Sequence, residues 1–330
     1  MKLSKDIKQL TNYLESQRWL NNNESIESTE KPGEGNMNFT LRLKTTQRSV
    51  IIKQSREYVE KYPQVAAPKE RALMEAAFYE IVASNYKLKR QMPTIIGVDK
   101  ENSILLMEDL GEGSDYSFIY KKGKSIEEKD LFQLIDFAAD LHNSFDSSQV
   151  KKPIRNRAMR KLNYEHIYIY PYLEDNGINL DDILPGLAEV AKPFKVDEEL
   201  KIKVQKIGEQ YLADGNTLLH GDYFPGSWLK TADGIKIIDP EFCFFGSPEF
   251  EIGVTVAHLK MADQSEELIQ SAIKHYQLKA ELNEDKMNQF CAIEILRRIM
   301  GLAQLPLEIE LEKRKELLEA AASLILNVKS

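Results

Sequence analysis

The chain has 330 residues, a length that predicts two domains or one unit with two lobes. A composition of 42% hydrophobic and 29% charged residues indicates a globular protein, while the formal net charge of -8 argues against nucleic acid as a partner. The sequence has no apolar run of about 18 residues, no secretory signal at its start and no cysteine pattern of a metal site, so we expect a cytoplasmic protein without membrane contact.

Residues 1–110 alternate helical and β patterns. Apolar residues recur at close to helical spacing from Leu3 to Leu20, and residues 36–43 then alternate apolar and polar side chains, as in a strand with one buried face. The predicted order is helix, strand, strand, helix, strand, strand, over residues 2–19, 36–43, 49–53, 67–86 and, for the last two strands, 93–110.

Residues 111–330 are mainly helical in pattern. The predicted helices cover residues 127–145, 249–262 and 283–328, the last with a break near Pro306, and residues 150–215 also have helical composition. The change near residue 111 predicts an α+β fold with a boundary between residues 1–110 and 111–330. An apolar stripe over residues 308–326 fits either core packing or the interface of a homodimer.

A glycine-bearing loop lies between the first two predicted strands. Its candidate binding residues are Gly33, Gly35, Asn36 and Asn38. Backbone N–H groups in such a turn can hold phosphate oxygens, although a plain hairpin turn is the alternative. Lys53 follows at the end of the next strand and Glu75 inside the next helix. Because a lysine held by a helix glutamate can reach nucleotide phosphates, this order favours a nucleotide site over isolated surface charges.

A second group of polar residues surrounds a predicted β-hairpin in the C-terminal part. Asp222, two residues after His220, is placed in a turn where it can accept a proton from an attacking hydroxyl. Ser227 offers an oxygen to a nearby cation, and Asp239 and Glu241 after the hairpin are hard ligands suited to Mg²⁺. This order matches the protein-kinase layout for phosphoryl transfer, whereas the alternative is a structural turn braced by His220.

These motifs resemble the aminoglycoside phosphotransferase and choline kinase superfamily of small-molecule kinases and, within it, the methylthioribose kinase family. The similar segments are GEGNMN from Gly33, SVIIKQ from Ser49, MEDL from Met107, GS at Gly226, DPEF from Asp239 and RRIMGLA from Arg297. The resemblance implies a bilobal, protein-kinase-like fold. Residues 1–110 would form an antiparallel nucleotide-binding lobe, and residues 111–330 a helical catalytic and substrate-binding lobe.

The resemblance also implies roles for single residues. Asp222 would be the catalytic base or orient the hydroxyl, and Lys53, positioned by Glu75, would contact ATP phosphates. Asp239 and Glu241 would hold Mg²⁺ with help from Ser227. The backbone of Met107, Glu108 and Asp109 would meet adenine, and Arg297 and Arg298 would line the sugar pocket. Neighbouring helix residues point about 100° apart, so one arginine could bind substrate while the other braces the loop of Asp239; a surface salt bridge is the alternative.

The resemblance thus implies an ATP- and Mg²⁺-dependent kinase that phosphorylates the anomeric hydroxyl of 5-methylthioribose, a step of methionine salvage. The loop after Asp222 reads Tyr223-Phe224-Pro225, where the family usually has Leu-His-Thr, and Gln304 replaces a frequent histidine. Another sugar or an aminoglycoside therefore stays open as substrate, although the arginines argue against a polycation. A non-catalytic binding module is disfavoured because the lysine, base and metal aspartate are all present.

Overall fold

The computed structural model describes residues 1–33, 35 and 37–327. The described chain divides into two compact units. The first unit contains Met1–Ser114 and Leu229–Cys243, and the second contains Asp115–Trp228 and the residues from Phe244 onward. The assignment of nucleotide binding to residues 1–110 and of catalysis to residues 111–330 stays a prediction.

The secondary structure confirms the α+β class. The strands are β1 Ile26–Glu30, β2 Phe39–Thr45, β3 Ser49–Gln54, β4 Tyr58–Val59, β5 Tyr62–Ala66, β6 Ile95–Asp99, β7 Ile104–Glu108, β8 Gly113–Asp115, β9 Thr217–Leu219, β10 Trp228–Thr231, β11 Gly234–Ile237 and β12 Phe244–Gly246. The helices are α1 Ile7–Ser16, α2 Arg71–Val82, α3 Tyr86–Lys89, α4 Glu128–Ser144, α5 Arg157–Tyr164, α6 Leu187–Val196, α7 Glu198–Leu212, α8 Pro248–Met261, α9 Glu266–Gln277, α10 Glu284–Met300 and α11 Leu311–Leu326. Of these, β1, β4, β5, β8, β9, β12, α3 and α9 were not predicted from the sequence.

The first unit is built on an antiparallel sheet with the strand order β1-β2-β3-β7-β6. One face of the sheet packs on α1 through a hydrophobic core that includes Leu41, Val50 and Ile52. Since side chains alternate between faces along a strand, Lys53 on β3 points to the opposite face. Strands β10 and β11 are neighbours in the sheet β11-β10-β8, which confirms the predicted hairpin between the two polar turns.

The second unit is mainly helical, with β9 and β12 paired antiparallel. Helices α8 and α10 approach closely at Gly253, where an added Cβ would lie 2.6 Å from the carbonyl oxygen of Met287. The apolar stripe of α11 is buried against α10 and α7, so it belongs to the core of this unit; the buried residues are Leu317, Leu318, Ala321, Ala322 and Ile325. Among the described helices, none is long and apolar enough to cross a membrane.

Candidate active site

Lys53 is the centre of a buried ion-pair group in the first unit. Its Nζ lies 2.8 Å from Oε1 of Glu75 on α2, and it also pairs with Asp239, which follows β11. Burial opposes the charge of Lys53, but the two carboxylates outweigh burial and raise its pKa. The structure therefore brings together the three residues that the sequence placed in order, and it keeps the lysine charged.

Asp239 and Glu241 lie on one tight turn. Asp239 has φ +65°, a left-handed conformation that aspartate tolerates better than most residues, and Pro240–Phe242 form a 3₁₀ turn. Non-glycine residues in this conformation are often found at functional sites. The side chain of Asp239 is 46% exposed, whereas that of Glu241 is 8% exposed, so the turn carries one accessible and one buried carboxylate.

Glu241 is held by two residues from other parts of the first unit. Its Oε2 accepts a hydrogen bond of 2.9 Å from the side-chain amide of Asn38 and lies 3.3 Å from Nε of Arg71. Burial raises the pKa of Glu241 to about 7, against the effect of the Arg71 charge. The glycine-bearing loop thus meets the Asp239 turn at one carboxylate oxygen through Asn38. Arg71, which sequence reasoning did not select, contacts the same oxygen.

The other candidate nucleotide-binding residues occupy the loop before β2 and the end of β7. Atoms added as Cβ at Gly33 or Gly35 would meet nothing within 4 Å, and Asn36 lies outside the described residues. The remaining candidates there are Met107, Glu108 and Asp109.

Asp109 anchors the chain just after β7 instead of presenting a free carboxylate. It accepts hydrogen bonds from Nε of Arg42 at 2.7 Å and from the hydroxyl of Ser49 at 2.5 Å. Burial opposes ionisation of Asp109, but these bonds lower its pKa. The carboxylate of Asp109 is therefore engaged by Arg42 and Ser49. The predicted contact with adenine concerns the backbone of residues 107–109.

In the second unit, Glu251 on α8 fixes the loop that carries Asp222. Its two oxygens accept the backbone N–H groups of His220 at 3.2 Å and of Gly221 at 2.8 Å. Nε2 of His142 lies 2.9 Å from the same carboxylate. Burial opposes ionisation of Glu251, but His142 and these N–H groups lower its pKa. His142 therefore helps to hold the loop that carries Asp222.

The loop after Asp222 turns back on itself. The Ser227 hydroxyl donates to the backbone oxygen of Asp222 at 2.8 Å. Tyr223 is buried, donates its hydroxyl to the Leu134 carbonyl at 2.8 Å and stacks on Phe137. The ring of Tyr223 therefore completes the core under the loop.

Glu294 on α10 is a common partner of the twin arginines. It accepts Nη2 of Arg297 at 3.0 Å and Nε of Arg298 at 2.7 Å, and Nε2 of His258 lies 3.0 Å away. Burial opposes ionisation of Glu294, yet the two arginines hold its pKa well below the usual range. The pair is therefore not a surface salt bridge but a buried cluster built on one carboxylate.

Phe224 connects this cluster to the loop that carries Asp222. The guanidinium of Arg298 lies 5.2 Å from the ring of Phe224. Burial lowers the pKa of Arg298, but the charges of Glu294 and Asp222 raise it. Burial lowers the pKa of His258 to about 4, so the imidazole is neutral at neutral pH and its Nδ1 faces the Tyr120 hydroxyl.

Sequence reasoning missed three residues that hold the candidate site residues in place. Arg71 lies four residues before Glu75 in a predicted helix, and Glu294 three and four residues before the arginines, so helical spacing could have found both. Glu251 gives no such signal, because its partners are distant in the sequence.

Comparisons with known proteins identify the family of this chain. The model of the phosphotransferase enzyme family matches residues 29–288. A methylthioribose kinase of Exiguobacterium sibiricum is 30% identical over 251 residues, which cover 71% of this chain. The match spans only 61% of that relative's own length.

Solved structures show the same fold at low sequence identity. An ethanolamine kinase of Plasmodium vivax has a TM-score of 0.56 at 14% identity, covering 98% of this chain and 90% of the other. The ternary complex of streptomycin, ATP and APH(2'')-IIa has a TM-score of 0.53 at 15% identity, covering 98% and 100%. These findings confirm the predicted kinase-like fold and the resemblance drawn from the motifs. The chain therefore belongs to the phosphotransferase enzyme family.

Proposed function

We propose that this protein is an ATP-dependent kinase that transfers a phosphoryl group to a hydroxyl of a small alcohol. The observation that carries the proposal is the buried contact of Lys53 with both Glu75 and Asp239. In phosphoryl transfer the protein supplies position and charge, and a lysine held by a helix glutamate beside a metal aspartate is the arrangement that does so. The structure of a fold relative with ATP and streptomycin supports ATP as the donor.

The nucleotide would be held by the first unit. Lys53 would bind phosphate oxygens, backbone N–H groups at Gly33 and Gly35 would surround them, and the backbone of Met107 to Asp109 would meet adenine. Glu75 keeps the lysine in place and charged.

Asp239 and Glu241 fit a magnesium site, and Ser227 is a further candidate ligand. Mg²⁺ accepts one or two carboxylates and completes its shell with phosphates and water. Among the described residues there is no cluster of three or more His, Cys, Asp or Glu side chains that could hold a metal ion. When bound, Mg²⁺ would neutralise charge on the phosphates during transfer.

Asp222 would act on the acceptor alcohol. Its carboxylate would orient the hydroxyl and take up the proton as the hydroxyl oxygen bonds to phosphorus and the bridging P–O bond breaks, releasing ADP. The hydrogen bonds from Gly221 and His220 to Glu251 support this role, because they fix the loop before any substrate is bound.

The first candidate substrate is 5-methylthioribose at its anomeric hydroxyl, supported by the methylthioribose kinase relative. Arg297 and Arg298 would line its pocket, and their charge disfavours polycationic substrates such as aminoglycosides. A different small alcohol is the second candidate. It is favoured by Phe224, which lies against Arg298 in a loop that departs from the family pattern.

Coupled ATP turnover with Mg²⁺ tests the proposal on methylthioribose, ribose, choline, homoserine and kanamycin, with Asp222→Ala as control. We expect turnover on methylthioribose and a loss of about 10²–10⁴-fold in the variant. Activity on another alcohol alone would select the second candidate. Retained turnover in Asp222→Ala would refute the proposed role of Asp222. If the wild type shows neither turnover on any of these alcohols nor a thermal shift with ATP, the kinase assignment is refuted.

A further inference from the structure

Arg71 occupies the point where two segments of the candidate nucleotide site meet. This arginine on α2 is 1% exposed. Its Nη2 donates to the side-chain oxygen of Asn38 at 3.0 Å and to the backbone oxygen of Met37 at 2.8 Å, while its Nε lies 3.3 Å from Glu241. The amide of Asn38 in turn donates to the same Glu241 oxygen at 2.9 Å. Arginine, asparagine and glutamate thus form a closed triangle.

We infer that Arg71 is a positioning residue that couples the glycine-bearing loop to the metal-binding carboxylate Glu241. The inference rests on the proposed roles of Glu241 in holding Mg²⁺ and of the loop in holding phosphates. A shift of the loop at Asn38 moves one corner of the triangle, and the buried guanidinium transmits that shift to Glu241. Nucleotide and Mg²⁺ affinities then depend on each other through Arg71.

The position of Arg71 on α2 extends this coupling to Lys53. Glu75 lies four residues later on the same helix, so both side chains occupy one face, and Glu75 holds Lys53 against Asp239. A single helix therefore positions both carboxylates of the Asp239 turn through two separate cations. Residues that hold a metal ligand in place typically contribute 10–100-fold to metal affinity.

A purely structural role is the competing explanation, because Nη1 of Arg71 also donates to the backbone oxygens of Arg56 at 3.0 Å and Pro68 at 2.8 Å. Two variants separate the explanations. Arg71→Lys keeps the positive charge but loses the several N–H donors of the guanidinium. Asn38→Ala removes one corner of the triangle and leaves the hydrogen bonds from Arg71 to Arg56 and Pro68 in place. If Arg71→Lys does not fold, the result for Asn38→Ala decides.

The measurement is ADP affinity by calorimetry, with excess Mg²⁺ and with EDTA, and Mn²⁺ affinity in the presence of ADP by electron paramagnetic resonance. We expect Mg²⁺ to strengthen ADP binding in the wild type. Arg71→Lys and Asn38→Ala should each reduce this enhancement and the Mn²⁺ affinity about tenfold. Glu241→Gln should show the same loss, and Arg71→Lys added to it should cause little more, because the residues act as one unit.

Arg160 provides a matched control in the second unit. It is also buried, at 2% exposed, and its Nη2 donates to the backbone oxygens of Tyr211 and Ala213 at 2.7 Å. Arg160→Lys should lower thermal stability but leave the Mg²⁺ enhancement unchanged. The coupling is refuted if Arg71→Lys and Asn38→Ala keep the wild-type enhancement while Glu241→Gln loses it. The proposed metal site, and the coupling with it, is refuted in two cases. Either Mg²⁺ does not strengthen ADP binding in the wild type, or it still does so in both Glu241→Gln and Asp239→Asn.

Discussion

Glu251 and His142 meet at 2.9 Å in the interior of the second unit, and the carboxylate of this pair also accepts the consecutive backbone N–H groups of His220 and Gly221. Nδ1 of His142 lies 2.8 Å from the hydroxyl of Tyr276, so the imidazole is held from both sides. The orientation of the loop that carries Asp222 therefore depends on a carboxylate buried in the core of the second unit.

Glu251→Gln should reduce both stability and turnover. The amide has only one acceptor oxygen, so at least one of the donors at His142, His220 or Gly221 loses its partner in the interior. An unsatisfied buried donor costs about 2 kcal/mol, which corresponds to a melting temperature lower by roughly 5 °C. Thermal denaturation and coupled turnover measure the two effects. Wild-type turnover in a correctly folded variant would contradict the role of Glu251.

Gly221→Ala should reduce activity more than its effect on stability explains. Gly221 has φ +84°, so alanine there costs about 1–2 kcal/mol and shifts the neighbouring Asp222. Gly123→Ala is the matched control, since Gly123 has φ +71° and an added Cβ meets nothing within 4 Å. We expect similar losses of stability in both variants and at least a tenfold larger loss of kcat in Gly221→Ala. Equal kcat values would show that the loop tolerates the strain.

Lys53→Met should abolish most of the transfer activity without unfolding the protein. The methionine removes the charge that Glu75 and Asp239 surround, and a loss of about 10²–10³-fold in kcat/KM is expected. Lys44→Met is the control, because Lys44 is exposed and pairs with the exposed Glu30, so its removal should change kcat/KM less than about twofold. Steady-state kinetics on both variants tests the prediction, and similar losses in the two would refute it.

His258 should make stability depend on pH in the mildly acidic range. Its pKa is about 4 in the folded protein and about 6.5 when unfolded, so the unfolded chain binds more protons between these values. Stability is therefore lost as pH falls from about 6.5 towards 4, by up to about 3 kcal/mol. Urea unfolding at pH 7 and pH 5 should show a smaller drop for His258→Gln than for the wild type. An equal drop would mean that other groups account for the pH dependence.

The order of residues along the chain made part of the candidate site predictable. The glycine loop, Lys53, Glu75 and Asp239 follow fixed strand and helix boundaries, and the structure brings the last three together. Glu251 could not be predicted in this way, because it joins His142, 109 residues away, to a loop from a third segment. Such contacts depend on how the helices pack, which periodicity does not encode.

The elements missed from the sequence have different causes. Strand β5, Tyr62–Ala66, has no buried face, so it lacks the alternation that reveals a strand. Strand β1 buries only Ile26. Helix α9 did carry a signal, since Ile269, Ala272, Ile273 and Tyr276 recur at helical spacing and are all buried.

The close approach of α8 and α10 at Gly253 limits how this enzyme family member can diverge. Glu251 and His258 on one helix and Glu294 on the other are held in fixed relation, because any side chain at Gly253 would collide with the backbone at Met287. Rotating one helix to reshape the region around the arginines would displace the loop that carries Asp222 as well. Changes in this region are therefore expected to arise through replacement of individual side chains and not through movement of either helix.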